Sequence, residues 1–389
     1  MSNAVIVAAG RTPIGKSRKG GLASVDAFAL ARTAVSGVLE RSGVPAADID
    51  DLVLAESLAG GGVIARHTAV SLGLTRVPGL AVNRHCAGGQ AAVQTAAAAI
   101  IAGAIDVAIA GGTESMSTMP MVMRLGADGT PTRWVSPSHP ETPEAPALDM
   151  SVTVGENTAR LAGLTRLDVD QWAAYSHGQA VASQDAGYFD AEILPVDVPQ
   201  ESGEVLQVTR DEHPRRGVTV ETLAALPLIH PEIEGATVTA GNAAGVNDAA
   251  AAVVVTSAEY ASANGLQPLG RIRQWANAGV DPVETGLAPI AAIEQALSRA
   301  GLSTSDIGLW EINEAFCAVP VAVTRKLGID QSIVNVNGSG CSLGHPIAAT
   351  GARMIVTMLG EMRRRDVPLA CVSMCAGGGM GAALILELA

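Results

Sequence analysis

The chain repeats part of itself. LERSGVPAADIDDLVLAE, beginning at Leu39, returns 258 residues later as LSRAGLSTSDIGLWEINE, beginning at Leu297. Leu39, Arg41, Gly43, Asp48, Ile49 and Glu56 thus recur as Leu297, Arg299, Gly301, Asp306, Ile307 and Glu314 in one register. Each copy runs an amphipathic helix into a glycine stop and then a short apolar strand, the pattern of an α/β unit. In the first copy Phe28, Ala31, Val35 and Val38 form the apolar stripe. Two further signals repeat: Val82-Asn83 returns as Val334-Asn335, and an Ala-Gly-Gly follows an apolar strand at Ala110 and again at Ala376. Chance likeness in an Ala/Gly-rich chain does not hold register across a helix, a turn and a strand, so two related α/β halves are expected.

Between the halves, from about Ser117 to Gly245, prolines and charges cluster in TPTRWVSPSHPETPEAPALD and VTRDEHPRRGVT. These segments read as loops and turns, and an insertion this long and loop-rich is usually functional, often covering a site. At 389 residues the chain exceeds one ordinary domain, and 48% hydrophobic against 16% charged residues excludes a disordered protein. With 3% aromatics a surface for stacked bases is not expected. A formal charge of −13 argues against nucleic acid or an anionic membrane as partner, so a phosphate-bearing ligand must be held by local groups. The N-terminal MSNAVIVAAGRTPIGKS is unlike a secretory signal, and the apolar stretch from Ala91 to Gly112 is broken by Gln94, Thr95 and Asp106. A soluble cytoplasmic protein is the expectation. Five cysteines, an odd number without an export signal, make a disulfide framework improbable; no Cys/His cluster has zinc spacing, so no metal is expected.

Four segments carry chemistry. GLAVNRHCAGGQAAVQTAAAAIIAGA reads as a strand, a tight polar turn and a long helix, placing Cys86 at a helix start where free N–H groups and the dipole favour thiolate. Gly88 and Gly89 leave room for a substrate, and His85 reads as structural. NVNGSGCSLGHPIAATGARMIVTMLGEMRRR puts His345 in a Gly-rich loop before a helix, with Pro346 in the first helical position and Ile347, Gly351, Met354, Ile355, Met358 and Met362 on the buried face. The positive helix start disfavours imidazolium, so His345 is expected neutral and able to accept a proton. Cys375 ends the strand LACVSM and precedes AGGGMG and a second strand, so nearby backbone N–H groups can face a developing oxyanion. Asn313 and Glu314 end the strand of LWEINEAFCAVP, where an amide can hold a water or a carbonyl oxygen. Cys317 reads as buried filling, and Cys341 has no assigned role.

Together these segments resemble the thiolase family: VNRHCAGG for a nucleophile, NEAF for an asparagine, GHP for a histidine and CAGGGMG for a second cysteine. RTPIGK, AGGTESMS and VTAGNAAGVNDAAAA extend the likeness along nearly the whole chain. The resemblance implies a ping-pong acyl transfer that makes or breaks a 3-ketoacyl-coenzyme A. Cys86, assisted by His345, would form an acyl-enzyme, and Cys375 would exchange a proton with the α-carbon. One oxyanion pocket would use His345 and an Asn313-held water, the other the N–H groups of Cys86 and Gly377. Arg215, Ala244, Met150, Thr285 and Phe316 fall at substrate-binding positions.

The resemblance also implies a duplicated five-layered α-β-α-β-α fold. Residues 1–116 plus 247–268 would form the first half, 117–246 a loop domain covering coenzyme A, and 269–389 the second half. A homodimer or homotetramer is implied, with acyl-CoA and CoA as partners, no nucleic acid or membrane, and no tightly bound cofactor, coenzyme A being substrate and product. The chain departs from the family pattern at Gly88 and Ala244, where serines are usual, and at Asp149-Met150-Ser151, where His-Met-Gly is common. Thr285 stands where Met is usual, which predicts a roomier acyl pocket and longer substrates than acetoacetyl-CoA. An acyl-CoA-binding relative with weak catalysis and a condensing enzyme of fatty-acid or polyketide synthesis are the alternatives.

Overall fold

The computed structural model describes residues 3–58 and 61–389. The first half holds β1 (Ala4–Arg11), α1 (Ala27–Ser42), β2 (Asp51–Ala55), α2 (Ile64–Ser71), β3 (Leu80–Val82), α3 (Gly88–Ile101) and β4 (Val107–Ser115). After a long excursion containing α4 (Arg166–Asp185), β5 (Asn247–Ser257) returns to this half. The second half holds β6 (Gly270–Gly279), α5 (Ala288–Ala300), β7 (Leu309–Ile312), α6 (Ala318–Leu327), α7 (Ile347–Arg365), β8 (Leu369–Ala376) and β9 (Met380–Leu388).

The strands form one path, β7-β8-β9-β6-β1-β5-β4-β2-β3, and the halves meet where Val5 and Ile6 of β1 pair with Arg271 and Gly270 of β6. From that junction outward, β1-β5-β4-β2-β3 in one direction matches β6-β9-β8-β7 in the other. Both arms run antiparallel, antiparallel, then parallel. The place of β3 is taken in the second half by Val334, which bridges Trp310 in parallel. The repeat seen in sequence is therefore a repeat of topology. Its details follow: α1 and α5 both end at left-handed glycines, Gly43 (φ 67°) and Gly301 (φ 70°). Arg41 reaches back to the carbonyl of Ala9 in β1, and Arg299 to that of Trp275 in β6.

Alternation along the strands divides most of the described interior among three large cores. Ala4, Ile6, Val53, Ala108, Val253, Val372 and Leu384 face a central core with α3 and α7. Val5, Val7, Leu52, Val107 and Val254 face α1 and α2, while Trp310, Ile312, Cys371 and Ile385 face α5 and α6. The result is a five-layered α-β-α-β-α architecture. Glycine sets the spacing of its middle layer. A Cβ at Gly89 would lie 2.7 Å from the Ala352 nitrogen, and one at Gly351 2.4 Å from the Gln90 nitrogen, so α3 and α7 touch backbone to backbone.

The excursion is less loop-like than its composition predicts. α4 spans 20 residues and starts at a Thr165/Asp168 capping box, a signal hidden among polar residues. Trp172 and Ser176 of α4 donate to the Glu314 carboxylate at 2.8 and 2.6 Å. Fully buried Arg11 of β1 pairs with Glu192 at 2.6 Å and Asp211 at 2.7 Å, tying the excursion to the first half. No helix among the described residues is long and apolar enough to cross a membrane.

Candidate active site

Cys86 leaves the edge strand β3 through a tight turn. His85 adopts a left-handed backbone (φ 45°), and its N–H donates to the Asn83 side chain at 2.9 Å. α3 begins two residues after Cys86, at Gly88. A Cβ on Gly88 would stand 2.9 Å from that of Ala55, closer than side chains pack without a shift. The expected lowering of the thiol pKa is not found. Burial pushes Cys86 up to about 11; the backbone N–H groups of Gly377 and Cys86 pull it only partly back, and the charge of Glu114 adds slightly to the rise. Desolvation outweighs the N–H donors, and the resting group is a thiol.

His345 is held from both sides. Its N–H donates to Asn247 Oδ1 at 3.0 Å, and the preceding Gly344 (φ 105°) lies so close that a Cβ there would meet the Asn247 side chain at 2.6 Å. Pro346 stands just before α7 as its N-cap, with ψ 106°, rather than in the first helical position; its extended ψ turns the chain so that the histidine faces the cavity. The imidazole tautomer follows from one hydroxyl. Thr350 Oγ1 donates to the Pro346 carbonyl at 2.8 Å, so toward His345 Nδ1, 2.7 Å away, it acts as acceptor. The proton is thus on Nδ1, and Nε2, buried and without a hydrogen-bond partner among the described residues, presents a lone pair. Burial, assisted by the charge of Arg353, lowers the imidazole pKa to about 4. The neutral imidazole expected from the sequence is present, with desolvation as its main cause.

Cys375 ends β8, and the glycine turn to β9 follows, with Gly378 and Gly379 at φ 86° and 77°. Burial, and then the neighbouring Cys86, push its thiol well above the usual range, so it rests protonated.

These groups share one cavity of about 200 Å³, lined by Cys86, His345, Cys375 and Gly377 together with Met150, Ala244 and Phe316. Met116, Val154 and Ile347 complete an apolar wall. Three expected residues lie off this lining. Asn313 is fully buried, its Oδ1 close enough to Gly340 that a Cβ there would come within 2.6 Å; neither side-chain polar atom has a partner among the described residues. Arg215 is exposed, and its backbone N–H donates to His177 Nδ1 at 3.2 Å. Thr285 is fully buried off the cavity lining, and its hydroxyl is engaged by the Gly379 N–H and the Pro282 carbonyl.

Sequence reading missed the positioning residues. Asn247 and Thr350 look like ordinary strand and helix polar residues until the fold brings them to His345. Glu114, in the segment AGGTESMS, is fully buried; it accepts the N–H of Leu58 at 3.1 Å and that of Ala348, in the first turn of α7, at 3.3 Å. Burial raises its pKa to about 7. A carboxylate on an otherwise buried strand was the available signal.

Comparison with known proteins matches residues 4–259 to the thiolase N-terminal domain and 266–388 to the thiolase C-terminal domain. An acetyl-CoA acetyltransferase of Cupriavidus necator is 42% identical over 398 residues, covering 100% of both chains. A 3-ketoacyl-CoA thiolase of Bacillus subtilis is 41% identical over 405 residues, again with 100% of both covered. Among solved structures, human mitochondrial 3-ketoacyl-CoA thiolase superposes with a TM-score of 0.90 at 33% identity, covering 100% of this chain and 99% of that one.

Proposed function

This chain belongs to the thiolase family, and from that premise we propose that it transfers an acyl group between coenzyme A thioesters through an acyl-enzyme on Cys86. The observation that carries this reading is the convergence on one apolar cavity of two thiols, a neutral imidazole and the N–H-donating glycine turn.

In the cleavage direction His345 Nε2 takes the Cys86 proton, and the sulfur attacks the 3-keto carbon of a 3-ketoacyl-CoA. The alkoxide that forms is stabilised by N–H donors at the cavity, and on its collapse the bond between C2 and C3 breaks. The electron pair passes to C2, which takes the proton of Cys375 and leaves as acetyl-CoA. The thiol of free CoA then gives its proton to the Cys375 thiolate and attacks the acyl-enzyme; the Cys86 sulfur departs and recovers its proton from His345. Condensation runs the same steps backwards. Separate cysteines are required because one sulfur is covalently occupied while the other moves a proton. N–H groups of Cys86 and Gly377 serve one oxyanion, and His345 with an Asn313-held water the other. The excursion of residues 117–246 supplies the CoA cover, with Arg215 beside the nucleotide, and the protein acts as a cytoplasmic homo-oligomer.

Intact-protein mass spectrometry with acetyl-CoA alone tests the reading. The wild type and Cys375→Ser gain one acetyl group, Cys86→Ala gains none, and Cys375→Ser loses most thiolysis. Persistent labelling of Cys86→Ala overturns the nucleophile assignment, and equal loss of acylation and thiolysis in Cys375→Ser removes the division of labour.

A further inference from the structure

The glycine turn after Cys375 must keep its shape if the Gly377 N–H is to reach the Cys86 sulfur, yet glycine is the residue least able to hold a shape by itself. The structure holds it from outside. Val280 N–H donates to the Gly379 carbonyl at 2.7 Å, and Gly379 N–H donates to Thr285 Oγ1 at 3.0 Å. The Thr285 hydroxyl hydrogen is committed to the Pro282 carbonyl at 2.6 Å, so toward Gly379 the oxygen acts only as acceptor. Thr285 is fully buried, so nothing from solvent replaces it. On the opposite side Ser138 presses on the turn: a Cβ at Gly378 would lie 2.6 Å from the Ser138 carbonyl oxygen, and one at Gly377 3.4 Å from the Ser138 Cβ. Among the described residues, the hydroxyl of Thr285 is the acceptor that satisfies the Gly379 N–H.

We propose that Thr285 is a positioning residue: its hydroxyl, by accepting the Gly379 N–H, fixes the glycine turn in the form that aims the Gly377 N–H at the Cys86 sulfur. The assignment rests on Cys86 as nucleophile and Gly377 as oxyanion donor, and it extends that reading to a residue that does not touch the cavity. Without the acceptor, a buried N–H is left unpaired and the turn relaxes to satisfy it, carrying the donor two residues away off its line.

Three variants and two readouts test this. Thr285→Val keeps the shape and removes the acceptor, Thr285→Ala removes it without adding bulk, and Thr285→Ser keeps it. The rate of Cys86 acetylation by acetyl-CoA should fall about 10- to 100-fold in Val and Ala and stay within about twofold of wild type in Ser. Alkylation of Cys86 by iodoacetamide, followed against pH by peptide mass spectrometry, should shift its midpoint upward in Val and Ala but not in Ser, because a lost N–H donor disfavours thiolate. If Val does not fold, Ala and Ser make the same comparison. Wild-type rates and pH profiles in Val or Ala overturn the proposal, as does equal impairment of Ser and Ala. Failure of the underlying reading is distinguishable, since the wild type itself would then not acetylate on Cys86.

Discussion

Cys86 and His345 occupy the same place in the two halves. Each stands two residues ahead of a central helix, α3 at Gly88 or α7 at Ile347, and each helix leads into a strand that carries an Ala-Gly-Gly, inside β4 from Ala110 and at the end of β8 from Ala376. The duplicated scaffold therefore delivers two loops to one cavity from opposite sides. What differs is the connection. In the first half a short turn with left-handed His85 passes directly to the helix. In the second, the path from Val334 to Ile347 is longer and contains a short helix, Gly340–Leu343, whose Cys341 N–H donates to buried Glu314 at 3.1 Å. Asn247 from the first half then reaches across to hold His345. A common frame fixes where a side chain emerges; the inserted loop and one residue borrowed from the other half decide what it does there.

Burial acts on the two groups with opposite sign and the same outcome. It pushes the Cys86 thiol up to about 11 and the imidazole of His345 down to about 4, so both rest uncharged. On the proposed mechanism the ion pair forms only when substrate is present, which would make His345 indispensable to acylation rather than merely helpful. Replacing His345 with Asn should slow acetylation of Cys86 by about 10²- to 10⁴-fold, measured by quenched-flow and intact mass. A loss below about tenfold would mean that Cys86 activates itself and that the two helix starts are not paired in function.

The tautomer of His345 has its own consequence for the rate. Thr350→Val removes the acceptor of the Nδ1 proton while keeping the shape of the side chain. The imidazole is then free to carry its proton on Nε2, where it cannot receive another from Cys86. Acetylation should fall about tenfold, with Thr350→Ser restoring it. An unchanged rate in Thr350→Val would show that burial alone orients the ring.

The architecture was readable because it is written in patterns that survive locally: a repeat in register, glycine stops at Gly43 and Gly301, and strands bounded by glycine turns. The cavity residues Cys86, His345, Cys375 and Gly377 were readable for a similar reason, since each sits in a short segment with its own chemistry. Positioning was not. Thr285, Thr350 and Asn247 gain their meaning from partners 94, 5 and 98 residues away, and no local pattern marks which hydroxyl will accept and which will donate. The charge of Cys86 was misread because a helix start is visible in sequence while the depth of its burial is a property of the packed fold.

The smallest effect tests that opposition of sign through stability. An imidazole with a folded pKa of about 4 against the usual 6.5 binds its proton less readily in the native state, so the unfolded chain takes up more protons as pH falls through 6.5. Stability attributable to His345 is complete above that value and declines toward pH 4, by about 2 kcal/mol between about pH 7.5 and about pH 5. Cys86 does the reverse. With its folded pKa near 11 against the usual 9.0, its unfolded thiol ionises first, and stability declines as pH rises from 9 toward 11. The sulfur keeps some contact with the cavity, which trims its share to about 1–2 kcal/mol. His177, His213, Cys371 and Cys375 are shifted in the same directions and give the protein slopes on both limbs. The informative quantity is therefore the difference between wild type and variant, in urea unfolding followed across the pH range. Relative to wild type, His345→Asn should flatten the acid limb alone and Cys86→Ala the alkaline limb alone. If both variants track the wild type in parallel at every pH, these two groups are not desolvated in the folded protein, and the pairing of neutral acid with neutral base fails.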